Sequence, residues 1–492
     1  MRVRRRIVFL LAACFLIAAR PDPPPYSSDV SGSWTQFNGG LGGRKPRTII
    51  SQQNVDRLKI AWQAPLPEWS DGTPVFVSGV DTRRGVLDLL IVNTVAGRLV
   101  AVDAATGSRV WATTPPEGPR WTTSSPAVDP THTYVYGYAL DGYVHRYEVA
   151  TGREVEGPGW PALVTLKGDV EKGSSNITIA RAKNHHTYLY MTIAAYPDPG
   201  DDGDYQGHVV TVDIDSGEQH VFNALCSDAD THYAVGDCYA AQAGIWARAG
   251  AVYDSVTDRV FVTTGNGPYT AIDGGHDWGT SVVALRPDGT SDGGTPLDSY
   301  TPENFQELTD NDLDLSSTAV ETLPTFNKSW PRLGVQGGKD GRLRLLNLQD
   351  LSGSGGPRNV GGELQIVDIP QGGEILTQPQ EWLDGRRTWL FVATDRGVAA
   401  FELVANDAGG PKLVLRWANN LSGTTPMIVN RVMYLATSHQ FTAVRPTTGE
   451  VLWQDNTIGE IHWQSPIIVN DTVYVTDNPG YITAYSLSAT GR

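Results

Sequence analysis

Cysteine, methionine and long apolar runs are scarce in this chain. Three cysteines and four methionines in 492 residues do not make a disulfide-stapled scaffold, and without a Cys-x-x-Cys pair or a matching His pair they do not make a zinc site. Cys-x-x-Cys-His is also missing, so no haem is attached covalently. No Gly-x-Ser-x-Gly elbow, His-Glu-x-x-His helix or Walker loop occurs, which sets aside serine-hydrolase, zincin and P-loop chemistry. Apolar residues almost never recur with a period of 3.6, so helices are expected to be few. Positive charge is in deficit as well: 38 Lys and Arg face 54 Asp and Glu, a net charge of -16, and nucleic acid is not the expected partner.

Glycine (53), proline (31) and aromatic residues (9%) are present in the amounts expected of an all-β, turn-rich protein. One phrase recurs eight times. It reads AVDAATGSRVW from Ala101, HRYEVATGREV from His145, TVDIDSGEQHV from Thr211, VALRPDG from Val283, RLLNLQDLSG from Arg344, AAFELVANDAGG from Ala399, AVRPTTGEVLW from Ala443 and AYSLSATGR from Ala484. Each copy is an alternating run, a turn of Thr, Ser, Asp and Gly, and a return run, which is a hairpin. Short strands repeated at intervals of roughly 40 to 75 residues describe the blades of a β-propeller, because one blade cannot bury its own faces.

The last copy stops at Gly491-Arg492, where Trp111 and Trp453 follow in complete copies, and an orphan return strand, Leu58-Lys59-Ile60-Ala61-Trp62, stands near the start. This strand is expected to complete the final blade, closing a ring of eight four-stranded antiparallel blades and removing the exposed edge. An open solenoid or a two-sheet sandwich is the alternative. Thr73-Pro74, Ser125-Pro126, Thr425-Pro426 and Ser465-Pro466 each open an alternating run and mark innermost strands. The acidic stretches 195–206 and 292–317 read as long loops at blade ends.

The first twenty residues read as an export signal, with Arg2, Arg4, Arg5 and Arg6 ahead of an apolar run from Ile7 to Ala19 that is too short to span a bilayer. Removing those four arginines takes the charge from -16 to -20. Leu11-Ala12-Ala13-Cys14 is similar to the box at which lipoproteins are acylated on cysteine, and Ala19 offers an ordinary cleavage position instead. Residues 21–30, with a Pro-Pro-Pro run, form a stiff linker, and 31–492 form the propeller. Cys226 and Cys238, twelve apart in a polar loop, are expected to pair in an oxidising compartment, which stabilises by roughly 3 kcal/mol in the chain-entropy estimate.

The pattern Ala-x-Asp-x-x-Thr-Gly-x-x-x-Trp resembles the repeat of the pyrroloquinoline quinone (PQQ) propellers, and the opening from Trp34 through Asn54-Val-Asp-Arg-Leu-Lys-Ile-Ala-Trp62 resembles the start of the quinoprotein alcohol dehydrogenases. The resemblance implies PQQ and calcium in an axial funnel, an alcohol or sugar as substrate and an external electron acceptor. Tyr253-Asp254 followed by Thr263-Thr264-Gly265-Asn266 is similar to the stretch whose Asn coordinates calcium, which points to Asn266. Counting back from Gly207-His-Val-Val-Thr-Val-Asp213 puts the carboxylate ligand at Asp202, among the neighbouring Asp201 and Asp204. Asp314, with Asp312 second, resembles the general base. Lys339 in Gly338-Lys339-Asp340-Gly341 resembles the lysine that holds the quinone oxygen, and Trp246 the floor on which the ring stacks. The disulfide of adjacent cysteines that covers the other face in many relatives is replaced by Trp121-Thr-Thr-Ser-Ser125. The family also includes scaffolds that bind no quinone, so a non-catalytic propeller binding protein or glycan partners in the cell envelope is the alternative function.

Overall fold

Each repeat folds as a hairpin because its own polar side chains close the turn. In the copy at Ala101, Asp103 accepts hydrogen bonds from the Ala105 amide at 3.0 Å and from the Thr106 hydroxyl at 2.7 Å, and Gly107 takes the left-handed conformation with φ +72°. Glycine is required there for a second reason. A Cβ on Gly107 would lie 2.7 Å from the Trp62 ring, one on Gly152 2.5 Å from Trp111, and one on Gly449 2.8 Å from Trp417. The turn of one blade is the seat for the indole of the blade before it.

The computed structural model describes residues 32–39, 47–118, 120–196, 205–229, 238 and 241–487. They form eight antiparallel sheets, seven of four strands and one of five. In chain order the blades span 75–112, 127–163, 171–223, 252–300, 321–368, 380–419 and 427–455, and the eighth combines 467–487 with the early strand Leu58–Pro65. That strand pairs from Leu58 opposite Leu487 to Pro65 opposite Tyr481, so the ring closes as the broken last repeat predicts. Trp453 seals the closure by donating its indole N–H to the Leu58 carbonyl at 3.1 Å. The four Pro-marked openings lead into Val75–Thr82, Ala127–Val128, Met427–Val429 and Ile467–Val469, the first strands of their blades. One detail differs from the sequence reading. The 292–317 stretch is not one loop: it holds the fourth blade's outer strand, Asp298–Tyr300, and a short helix, Phe305–Asp310.

The core is distributed between neighbouring blades. Apolar clusters join the second blade to the third, the third to the fourth and the fifth to the sixth, while the largest joins the first, seventh and eighth, the arrangement of a repeat protein whose units bury one another. Indoles add directed links: Trp62 donates to Ala104 O, Trp111 to Val149 O at 2.9 Å, and Trp417 to Pro446 O at 2.8 Å. Trp111→Ala is expected to cost about 3–5 kcal/mol, read as a lower denaturation midpoint. A shift no larger than that of a surface substitution would mean that the indole seats do not hold the blades. Cys226 and Cys238 form a disulfide with Cα atoms 5.9 Å apart. Among the described residues no helix is long and apolar enough to cross a membrane.

Candidate active site

The loops that enter first strands, and those that join second to third strands, emerge at one end of the ring. Four sequence-marked residues meet there. Trp246 and Asp314 lie just before the first strands of the fourth and fifth blades, and Asn266 and Lys339 lie in the second-to-third-strand loops of the same two blades. Lys339 Nζ is 2.7 Å from Asp314 Oδ2 and 3.2 Å from Asp312 Oδ2. The Asn266 amide N–H donates to Asp314 Oδ1 at 3.0 Å, and its side-chain Nδ2 donates to Asp312 Oδ1 at 3.0 Å. Lys339 Nζ also stands 5.5 Å from the centre of the Trp246 ring, within cation–π range.

The electrostatics follow from that geometry. Burial pulls the Lys339 ammonium down, but Asp314 and Asp312 outweigh it, and the net shift is upward. Lys339 is therefore a fixed cation at any physiological pH. Asp314 has both oxygens engaged, one by an ammonium and one by an amide, and its side chain is 14% exposed. Gly265 is required beside it, because a Cβ there would lie 2.7 Å from Asp314 Oδ1. Asn266 Oδ1, turned away from the Nδ2 donor contact, is buried with no hydrogen-bond partner, which is costly unless something else meets it. Asp202, Asp201 and Asp204 lie outside the described residues. Among the described residues no cluster of three or more His, Cys, Asp or Glu is placed around a metal.

Several residues of this mouth were not marked by the sequence. Trp463, entering the eighth blade, packs on Trp246 of the fourth with ring centres 6.3 Å apart, so an indole pair spans the axis between opposite blades. Beside it, His462 Nδ1 is 2.8 Å from Asp71 Oδ2, and Asp71 is 1% exposed while the imidazole is half-exposed. The signal was there, since His462 and Trp463 immediately precede the Gln464-Ser465-Pro466 opening. Arg248, two residues after Trp246, is 3% exposed and donates to three blades' entering loops: to Ser174 O at 2.7 Å, Thr123 O at 2.8 Å and Asp71 O at 3.3 Å. Burial lowers its pKa to about 10 against the pull of Asp71. The Trp121-Thr-Thr-Ser-Ser125 segment has aromatic and cationic neighbours: Trp121 meets Tyr196 at 5.1 Å, and Lys172 Nζ lies 5.2 Å from Trp121.

The ring of eight antiparallel blades has the architecture of the PQQ propellers. The family model "Glucose/ethanol/alcohol dehydrogenase, beta-propeller domain" matches residues 34–290, and the chain belongs to that PQQ-propeller family. Similar solved structures include the quinohemoprotein alcohol dehydrogenase of Comamonas testosteroni, at 16% identity over 94% of this chain and 81% of that one, with a TM-score of 0.61. A europium-containing methanol dehydrogenase is 16% identical over 93% and 98% of the two chains, with a TM-score of 0.64. BamB of Moraxella catarrhalis is 12% identical over 88% and 99%, with a TM-score of 0.52. At these identities the likeness carries the fold alone. No curated protein matches the chain.

Proposed function

We propose that this protein is an exported quinoprotein that holds PQQ and calcium in the mouth described above and oxidises an alcohol or sugar, with electrons passing to an external acceptor. The observation that carries this reading is the convergence of Asn266, Asp314, Lys339 and Trp246 from two blades. A scaffold that presents its faces to protein or glycan partners has no use for a carboxylate held between an ammonium and an amide, with that ammonium 5.5 Å from an indole ring. Export is proposed on the basic and apolar first twenty residues, with the periplasm or cell envelope as the compartment and Cys14 as an alternative site of lipid attachment.

The residues fit the two groups. The buried, unpartnered Asn266 Oδ1 is a hard amide oxygen of the kind that calcium takes, with Asp202 as the proposed further ligand. The Trp246 ring gives a flat face on which a planar cofactor stacks. When bound, the quinone supplies a two-electron acceptor and calcium a Lewis acid. Asp314 takes the proton of the substrate hydroxyl, and Lys339, already 2.7 Å away, stabilises the carboxylate beforehand and holds a carbonyl oxygen by its one remaining N–H donor. The Trp246–Trp463 pair spans the axis beside this site, and the buried Arg248 ties the entering loops together two residues on.

Oxidation of primary alcohols and aldoses, coupled to reduction of an artificial dye, is expected to require both PQQ and calcium. Turnover that persists without either, or absence of turnover across the whole substrate panel in their presence, would remove the dehydrogenase reading.

A further inference from the structure

Trp246 and Trp463 differ from the tryptophans that hold the blades together. Trp62, Trp111, Trp417 and Trp453 each donate the indole N–H to a backbone carbonyl of the next blade. Neither Trp246 nor Trp463 makes such a bond to any described residue, and both rings are only partly buried. They come from the loops entering the fourth and eighth blades, opposite each other in the ring, and meet across the axis with ring centres 6.3 Å apart and planes at 60°. A contact between opposite blades lies outside the neighbour-to-neighbour packing that stabilises a ring of repeats. Its place is the candidate active site: Lys339 Nζ is 5.5 Å from the Trp246 ring centre and 2.7 Å from Asp314 Oδ2.

We infer that Trp463 is the second wall of the cofactor site, so that the two indoles form a clamp taking the planar PQQ ring between them. The inference rests on the quinone reading above and adds a residue of the opposite blade to it. A planar ring has two faces, and Trp246 covers one. Trp121, which the sequence offers for the other, packs on Tyr196 at 5.1 Å and makes no ring contact with Trp246 among the described residues. Trp463 does make that contact.

The geometry also says which indole yields. Stacked carbon atoms lie about 3.5 Å apart, so a ring between two indoles needs parallel faces roughly 7 Å apart. Insertion therefore turns one indole out of its 60° tilt and parts the pair by roughly 1 Å, within the reach of side-chain rotation. Trp246 is fixed on both sides: the Ile245 amide donates to Ile193 O at 3.0 Å, and Arg248 is buried among three blades' loops. Trp463 instead packs on His462, with ring centres 4.5 Å apart, and that imidazole is half-exposed. Trp463 is the wall that moves.

The test is calorimetric titration of the full chain with PQQ in the presence of calcium, with circular dichroism recorded on the same samples. Trp463→Ala is expected to weaken binding about tenfold, equivalent to about 1.4 kcal/mol. Trp463→Phe, which keeps a ring, is expected to recover most of the affinity, and Trp463→Leu, which fills the space without one, replaces the alanine variant if that does not fold. The far-ultraviolet exciton couplet of the indole pair should be absent in Trp463→Phe and should collapse in the unsubstituted chain when PQQ binds. No binding of PQQ by the unsubstituted chain would remove the quinone reading, and the clamp with it. Binding that Trp246→Ala weakens but neither Trp463→Ala nor Trp463→Leu affects would keep the quinone reading and overturn the clamp. An unchanged couplet on binding, or a loss of affinity in Trp121→Ala without one in the Trp463 variants, would overturn it as well.

Discussion

Asp314→Asn should reduce quinone-dependent alcohol oxidation between about 100- and 10,000-fold, the range a general base contributes. The substitution keeps the volume and one acceptor oxygen, so the Asn266 amide contact at 3.0 Å can persist. It removes the charge that pairs with Lys339 and the capacity to take a proton. KM should change less than kcat, because the lost interaction belongs to the reacting hydroxyl rather than to the remote parts of the substrate. Asp312 is 82% exposed and touches the same ammonium at 3.2 Å, so Asp312→Asn is the informative control and should cost far less. Steady-state kinetics with an artificial dye acceptor checks both. Equal losses in the two variants would mean that the charge around Lys339, and not a particular base, is what matters.

Arg248→Met should destabilise the propeller by about 3–5 kcal/mol, the cost of leaving three buried carbonyls without their charged donor. Methionine approximates the stem but offers no donors, so the carbonyls of Ser174, Thr123 and Asp71 are left without the guanidinium. These carbonyls belong to the loops entering the third, second and first blades, and Arg248 itself enters the fourth. One side chain therefore ties half the ring together at the axis. Its loss should also loosen Trp246, two residues away, and raise the concentration of quinone needed for saturation. Urea denaturation monitored by tryptophan fluorescence measures the first effect. A change within about 0.5 kcal/mol, the range of ordinary surface substitutions, would show that the axial arginine is not a structural tie.

The ring and its closure were legible because both are written in periodic form. A hairpin turn that must also seat an indole uses Asp, Thr and Gly at fixed offsets, and the unfinished phrase at Gly491-Arg492 has its complement in Leu58–Trp62. The Cys226–Cys238 pair was legible from composition and spacing. The fourth blade's outer strand was not. Asp298-Ser299-Tyr300 carries no apolar alternation, and it is held by contacts distant in sequence, such as the Leu351 amide donating to Asp298 at 2.8 Å.

At the candidate site, sequence reasoning named residues one at a time, and only the fold puts them together. Asn266 and Asp314 are 48 residues apart and meet because neighbouring blades present equivalent loops at one mouth. The place of Trp463 before an innermost strand could be read from Ser465-Pro466, but its pairing could not: its partner Trp246 is on the opposite blade, and only closure of the ring brings the two together. Arg248 reads in the sequence as an ordinary polar residue before a strand, and nothing local shows that it is buried against three other blades.

The most direct test of the central claim is a calorimetric titration of the propeller with PQQ in the presence and absence of calcium, using Asn266→Ala as the control. Asn266 Oδ1 is buried and unpartnered in the protein alone, so its removal should cost little stability while removing a metal ligand. The expected result is calcium-dependent binding at one quinone per chain, weakened by the substitution. Binding that ignores calcium and Asn266, or no binding at all, would contradict the account and leave a propeller that keeps the family's repeats without its cofactor.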